Sequence, residues 1–126
     1  MSYYPAFPQR SPVELLSVST RVLSNAAVVT AAGDVDAVTA PRLLGELAAV
    51  LGSWPGQRLV LDMTRVTFLG SHGLAMVVEV AGRARGHGMD FGVVVGDRHT
   101  VIRALEVTGV ADSVALYHSL VEALGR

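Results

Sequence analysis

Residues 58 to 82 read RLVLDMTRVTFLGSHGLAMVVEVAG, and this stretch decides how the chain folds. It opens with a compact apolar run from Leu59 to Met63, whose length suits a buried strand. It closes with apolar residues at helical spacing, namely Leu74, Val77, Val78 and Ala81. The stretch therefore predicts a strand that leads directly into a helix.

Between this strand and this helix lies Gly70-Ser71-His72-Gly73, a small, polar and flexible joint. A strand that enters a helix through such a joint places the Ser71 hydroxyl at the positive end of the helix dipole. The hydroxyl suits two compatible roles there: an N-cap, which the spacing favours, and a phosphate acceptor. We expect any regulated or reactive position of the protein to be Ser71.

Composition limits the classes of protein to consider. The chain has 126 residues, enough for one domain with a real core, and 51% of them are hydrophobic. No apolar run is long enough to span a membrane, and we expect no secretory signal, because the first residues lack a basic patch followed by an apolar core. There is no cysteine, which excludes disulfides and thiolate chemistry and favours a cytoplasmic protein. The net charge of −1 gives no reason to expect nucleic acid or a membrane as partner.

The N-terminal part predicts a tail and a hairpin. Residues 1–12 contain three prolines and no apolar periodicity, so we expect a flexible tail, with the folded domain at 13–126. Residues 13–23 alternate between apolar and polar side chains, as a half-buried strand does, and residues 26–32 are apolar on both faces. The two strands should pair in antiparallel orientation.

Further strands and helices alternate along the rest of the chain. Residues 33–41 should end the second strand and open a helix with Thr39 as N-cap. Asp97 and Ser119 should cap two later helices, and residues 91–95 and 114–117 should be strands. The order β β α β α β α β α predicts a single α/β domain. Its mixed, mostly parallel sheet would have about five strands, covered by about four helices.

Enzymatic and metal-binding interpretations find little support. Leu69 to Gly73 is superficially similar to the Gly-x-Ser-x-Gly elbow of hydrolases, but Leu69 occupies the place of the first glycine. Asp34, Asp36 and Asp62 could converge at strand ends, although each more simply shapes a turn or ends a strand. The histidines have no metal-ligand spacing; they are His72, His87, His99 and His118. We therefore expect no enzyme, no cofactor and no metal.

Taken together, three segments resemble the STAS domain and, within it, the bacterial anti-sigma factor antagonists. Residues 33–43 are similar to the family's entry to its first helix, and residues 101–110 to the close of its third. Residues 59–74 are similar to the most specific motif, apolar-Asp-Leu-x-x-Val-x-Phe-Ile-Asp-Ser-Ser/Thr-Gly-Leu. Within that motif, Gly70 stands where the family has aspartate, and His72 where it has serine or threonine.

The resemblance implies a function in partner switching. The protein would bind an anti-sigma factor, a serine kinase of GHKL type, and thereby release a sigma factor for transcription. The kinase would phosphorylate Ser71 to end the interaction, and a phosphatase would reset it. The resemblance places Ser71 in the partner-binding surface together with Asp36, Gly70, His72 and Gly73. It also allows a homodimer.

Two other functions remain open. The chain could be a STAS subunit of a transporter or of a stress-sensing complex, acting as a protein-interaction module that is not phosphorylated. The changes at Gly70 and His72 suit such a module. A small enzyme is the third interpretation, and it lacks a catalytic constellation. The retained serine at position 71 favours the antagonist.

Overall fold

The computed structural model of the protein describes residues 15–125, so the expected tail at 1–12 lies outside the described residues. Its elements follow one another in the predicted order β β α β α β α β α. The strands are β1 (Leu16–Val22), β2 (Ala27–Val35), β3 (Arg58–Leu69), β4 (Asp90–Val94) and β5 (Ala115–Tyr117). The helices are α1 (Ala40–Ser53), α2 (Ser71–Gly86), α3 (His99–Val107) and α4 (Leu120–Leu124), and a short 3-10 turn spans Val110–Asp112.

The five strands form one mixed sheet in the order β1-β2-β3-β4-β5. β1 pairs with β2 in antiparallel orientation, as the hairpin prediction requires, and the remaining neighbours are parallel. None of the helices in residues 15–125 is long and apolar enough to cross a membrane. The predicted fold class, a mainly parallel α/β sheet covered by helices, is confirmed.

The two faces of the sheet are covered unequally. α1, α2 and α3 pack on one face and form the main core, with Leu43, Val77 and Leu105 among their buried residues. On the other face α4 covers a small cluster of buried side chains, Val28, Val60, Val94 and Ala123. The parallel strands all end at one edge of the sheet, and that edge carries the joint before α2.

Two strands run further than the sequence predicts. Gly33 does not end β2 and Asp62 does not end β3, because the added residues of the two strands pair with each other as far as Val35 and Leu69. The pairing contains two register shifts, and at each of them β3 carries one residue more than β2. Gly33 has a φ of +119°, and a Cβ there would collide with the Leu15 carbonyl. The glycine therefore allows the strand to continue past the bulge.

Some local details of the helices also differ from the prediction. Of the predicted apolar stripe of α2, Val77 and Ala81 are buried, but Val78 is 44% exposed. Met76 and Val80, which the prediction left out, are buried as well. Arg98, not Asp97, is the N-cap of α3, and it makes no side-chain cap bond. The cap of α4 is as predicted, since Ser119 accepts a hydrogen bond from the Glu122 amide.

Candidate functional site

The joint between β3 and α2 is fixed by two backbone hydrogen bonds. The Gly70 amide donates to the Val35 carbonyl at the end of β2, at 3.0 Å. The Gly70 carbonyl accepts the first helical hydrogen bond from the Leu74 amide, also at 3.0 Å. Gly70 is extended and is the N-cap, so Ser71 is already the first residue of the helix. The neighbouring strand β2 thus sets where α2 begins.

Ser71 does not cap the helix, so the capping interpretation is wrong. A capping side chain belongs to the residue that precedes the helix, and that residue is Gly70, which has none. Ser71 is exposed, and its hydroxyl makes no hydrogen bond within residues 15–125. The hydroxyl therefore lies accessible beside the first-turn amides of a 16-residue helix.

Asp36 shapes the loop that connects β2 to α1. Its Oδ1 accepts hydrogen bonds from the amides of Val38 and Thr39, both at 3.0 Å. These bonds, the one from the Thr39 amide foremost, lower the pKa of the Asp36 carboxyl from its ordinary value. Thr39 is the N-cap residue of α1, as predicted, but its side chain makes no cap hydrogen bond. Asp36 instead supplies the side-chain acceptor before the helix.

Thr39 has a different role, inside the loop. It is 1% exposed, and its hydroxyl accepts from the Asp36 amide at 3.0 Å and donates to the Asp34 carbonyl at 2.6 Å. The Asp34 side chain in turn accepts from the Thr67 hydroxyl at 2.6 Å. This network joins the end of β2, the loop and the end of β3 at the edge that carries Ser71.

The three aspartates considered as a cation site are each engaged locally. Asp34 and Asp36 have the partners given above, and Asp62 accepts from the amide and hydroxyl of Thr64. Within residues 15–125 no group of three or more His, Cys, Asp or Glu is placed to hold a metal ion. The other three histidines lie away from the joint: His87 follows α2, His99 begins α3 and His118 follows β5. Of these, His118 approaches Asp97 at 3.4 Å.

Gly73 and His72 contribute to the joint in different ways. Gly73 is buried, and a Cβ there would lie 2.5 Å from Leu69 Cδ1 and 2.8 Å from Val35 Cγ1. It therefore acts by allowing α2 to approach the sheet closely. His72 is exposed and lines a shallow groove of about 180 Å³ between α1 and α2. The other lining residues are Ala40, Pro41, Leu44, Ala75, Met76 and Glu79.

Two exposed apolar side chains near the joint escaped the sequence analysis. Phe68 is 52% exposed at the end of β3, and Val38 is 59% exposed in the β2–α1 loop. Alternation along β3 could not assign Phe68 to a face, because the register shifts against β2 change which side chains turn inward. The only local indication in the sequence that Phe68 lies beyond the buried part of β3 is the pair of polar residues Thr64 and Arg65, which interrupts the apolar run.

Comparison with known proteins agrees with this geometry. A sequence model of the STAS domain matches residues 17–123. The crystal structure of an anti-sigma factor antagonist from Mycobacterium paratuberculosis superposes with a TM-score of 0.80 at 30% identity, covering 87% of this chain and 92% of that chain. No curated protein matches the chain by sequence.

More distant structures share the fold. The anti-sigma factor antagonist SpoIIAA of Bacillus, in its unphosphorylated form, is 13% identical with a TM-score of 0.73, over 87% of this chain and 95% of that chain. A variant of RsbS from Moorella thermoacetica is 17% identical with the same TM-score of 0.73, over 86% of this chain and 92% of that chain.

Proposed function

Because the chain belongs to the STAS domain family, we propose that it is an anti-sigma factor antagonist, which binds an anti-sigma factor and so releases a sigma factor. The observation that carries the proposal is the position of Ser71. Its hydroxyl is exposed at the first residue of α2, on the edge where all the parallel strands end. A partner protein can reach it without any rearrangement of the core. Such a function operates in the cytoplasm.

Phosphorylation of Ser71 would be the reaction that ends the interaction. The anti-sigma factor would be a serine kinase of GHKL type holding ATP. Ser71 Oγ would attack the γ-phosphorus, the bond from that phosphorus to the bridging oxygen of ADP would break, and a kinase group would take the hydroxyl proton. The protein itself supplies an accessible, unbonded hydroxyl on a rigid helix end.

The local surroundings of Ser71 support a switch of this kind. A phosphate would add about −1.5 to −2 charges at pH 7, which the free amides and the dipole of α2 tolerate. The surface near Ser71 includes two apolar features, the groove beside His72 and the exposed ring of Phe68. A bulky anion there adds a desolvation penalty to the complex, and a phosphatase would remove it.

Phosphate transfer and binding test the proposal directly. The wild type and the variants Ser71→Ala and Ser71→Glu are each incubated with bacterial anti-sigma factor kinases and ATP. We expect phosphate on Ser71 of the wild type and none on Ser71→Ala. Ser71→Glu should weaken binding at least about tenfold, or about 1.4 kcal/mol, by mimicking the charge.

Ser113→Ala is the matched control, because Ser113 is also exposed but lies after the 3-10 turn, away from the joint. It should be phosphorylated and bound like the wild type. Binding that is unaffected by Ser71→Glu, with no phosphate on the wild type, would contradict the switch. Failure to bind any anti-sigma factor would contradict the function.

An interaction module that is not phosphorylated is the second candidate, as a STAS subunit of a transporter or of a stress-sensing complex. It is favoured by the absence of any acidic residue in the first turn of α2 and by the missing side chain at Gly70. Stable association with a transporter ATPase or a multi-subunit STAS assembly, with Ser71 unmodified throughout, would establish this alternative over the antagonist.

A further inference from the structure

A cavity of about 380 Å³ lies at the end of the sheet where the parallel strands begin, opposite the end that carries Ser71. Two connections border it. The β1–β2 turn contributes Ser24 and Asn25, and the segment between α1 and β3 contributes residues 54–57. The volume falls within the range of about 300–1,000 Å³ that is typical of small-molecule sites. The cavity is therefore large enough for a ligand and separate from the proposed partner-binding surface.

Trp54 is the aromatic residue of the cavity. It is the only tryptophan of the chain, and it is half-buried against the main core. Its ring lies over Gly56, where a Cβ would be 2.0 Å from both Cζ2 and Cη2 of the indole. Within residues 15–125 the indole N–H has no hydrogen-bond partner, although such groups usually find one when they are buried. Trp54 thus brings to the cavity an indole in a fixed position and a donor that no described residue uses.

Three polar side chains of the cavity also have no partner in the described part of the chain. They belong to Ser24, Asn25 and Gln57. Asparagine in a turn commonly bonds to its own backbone. Here the backbone closes the turn by itself, because the Leu23 amide donates to the Ala26 carbonyl at 2.7 Å. The two side-chain amides are therefore available to a ligand, and each can donate and accept hydrogen bonds.

No charged residue lines the cavity. Arg58, which follows Gln57, is directed to α4, where its Nη1 donates to the Ala123 carbonyl at 3.0 Å. Arg21 in β1 and Asp90 in β4 are exposed and lie outside the lining. A charged ligand would lose hydration in the cavity without gaining a counter-ion, whereas an uncharged polar ligand avoids that penalty.

We propose that this cavity binds an uncharged sugar, whose C–H face packs on the Trp54 indole and whose hydroxyls bond to Asn25 and Gln57. A sugar combines an apolar face with a rim of hydroxyls that both donate and accept. The indole complements the first of these features and the two amides complement the second. The inference does not depend on the proposed function, because the cavity and Ser71 lie at opposite ends of the sheet.

Fluorescence of the single tryptophan tests the site directly. The wild type is titrated with glucose and with maltose, and N-acetyltryptophanamide in the same solutions corrects for the effect of sugar on the solvent. We expect a saturable change with each sugar and a Kd of about 10 mM or below. Glucose 6-phosphate, which adds a charge to the same ring, should bind at least about tenfold more weakly than glucose.

Variants of the lining residues locate the binding. Asn25→Ala and Gln57→Ala each remove one amide at an exposed position and should weaken sugar binding at least about fivefold. Gly56→Ala should weaken it as well, because the added Cβ would displace the indole. Ser113→Ala removes an exposed hydroxyl outside the cavity and should bind like the wild type. Thermal unfolding of each variant shows that a loss of binding is not a loss of fold.

The absence of a saturable change with both sugars would overturn the inference. Wild-type affinity in both Asn25→Ala and Gln57→Ala would overturn it too, as would glucose 6-phosphate binding as tightly as glucose. Adenosine that binds more tightly than either sugar would assign the cavity to a flat aromatic ligand and so overturn the proposed class. Each of these results leaves the proposed function of the Ser71 end intact.

Discussion

Thr39 shows how a single buried hydroxyl organises the edge that carries Ser71. Among residues 15–125 it is the one polar side chain that is fully buried. It accepts from the Asp36 amide and donates to the Asp34 carbonyl, so both backbone groups are satisfied away from water. The loop before α1 and the end of β2 are thereby held in one arrangement.

Replacing Thr39 with valine keeps its shape and removes these hydrogen bonds. We expect Thr39→Val to lower the free energy of unfolding by about 1–3 kcal/mol, because the Asp36 amide and the Asp34 carbonyl lose their partner. Urea denaturation measures the change. Thr100→Val, at an exposed position in α3, is the control and should stay within about 0.5 kcal/mol of the wild type. Equal effects of the two substitutions would contradict the role of Thr39.

The site was predictable at some residues and not at others. The motif around Ser71 located the joint, because small polar residues between an apolar run and a helical stripe are a local signal. The prediction that Ser71 caps α2 was wrong, because the start of α2 depends on a hydrogen bond from the Gly70 amide to the carbonyl of Val35, 35 positions earlier in the chain. The exposure of Phe68 likewise depends on pairing with β2.

At the scale of elements, α2 and the sheet meet through Gly73. A side chain there would press against Leu69 and Val35, which both belong to the main core. The same helix contains Gly82, where a Cβ would meet nothing within 4 Å. The two glycines therefore separate the effect of packing from the effect of helix propensity within one element.

Alanine at these two positions should have opposite effects. Gly73→Ala should destabilise the protein by about 1–3 kcal/mol, because the core cannot accept the methyl group without shifting. Gly82→Ala should stabilise it by up to about 1 kcal/mol, since alanine is the better helix former. Thermal or urea unfolding of the two variants measures both. Stabilisation by Gly73→Ala would show that the helix–sheet contact is looser than described.

The elements themselves were largely predictable from the chain. Compact apolar runs became β3 and β4, and helical stripes became α1 and α2, because each pattern matches the periodicity of its element. The ends of β2 and β3 were not predictable. Gly33 and Asp62 are strand breakers by local preference, but long-range pairing between the two strands overrides that preference.

At the scale of the whole molecule, the two faces of the sheet are covered unequally, and burial of the smaller cluster depends on α4. This five-residue helix covers the cluster of Val28, Val60 and Val94. It is held at its start by reciprocal hydrogen bonds: Ser119 Oγ accepts from the Glu122 amide at 3.1 Å, and Glu122 Oε1 accepts from the His118 amide at 2.8 Å. A helix this short depends on such a cap.

Removing the Ser119 cap should therefore cause local unfolding of α4 and leave the rest of the sheet unaffected. We expect Ser119→Ala to destabilise α4 by about 1 kcal/mol and to speed amide hydrogen exchange in residues 120–124. Exchange in α2 should not change. Ser113→Ala serves again as the control. Uniform acceleration across the sheet would instead show that α4 opens only with global unfolding.

The order of strands in the sheet equals their order in the chain, and this has a consequence for biosynthesis. Each new strand of the described fold needs only the edge left by the strand before it. A nascent chain emerging from the ribosome can thus extend the sheet strand by strand, without holding a gap open for a later segment. The end of the sheet that carries Ser71, formed by β2, β3 and the start of α2, is complete before β4, β5 and α4 are translated. The last residues made therefore close the second face of the sheet rather than form the proposed partner-binding surface.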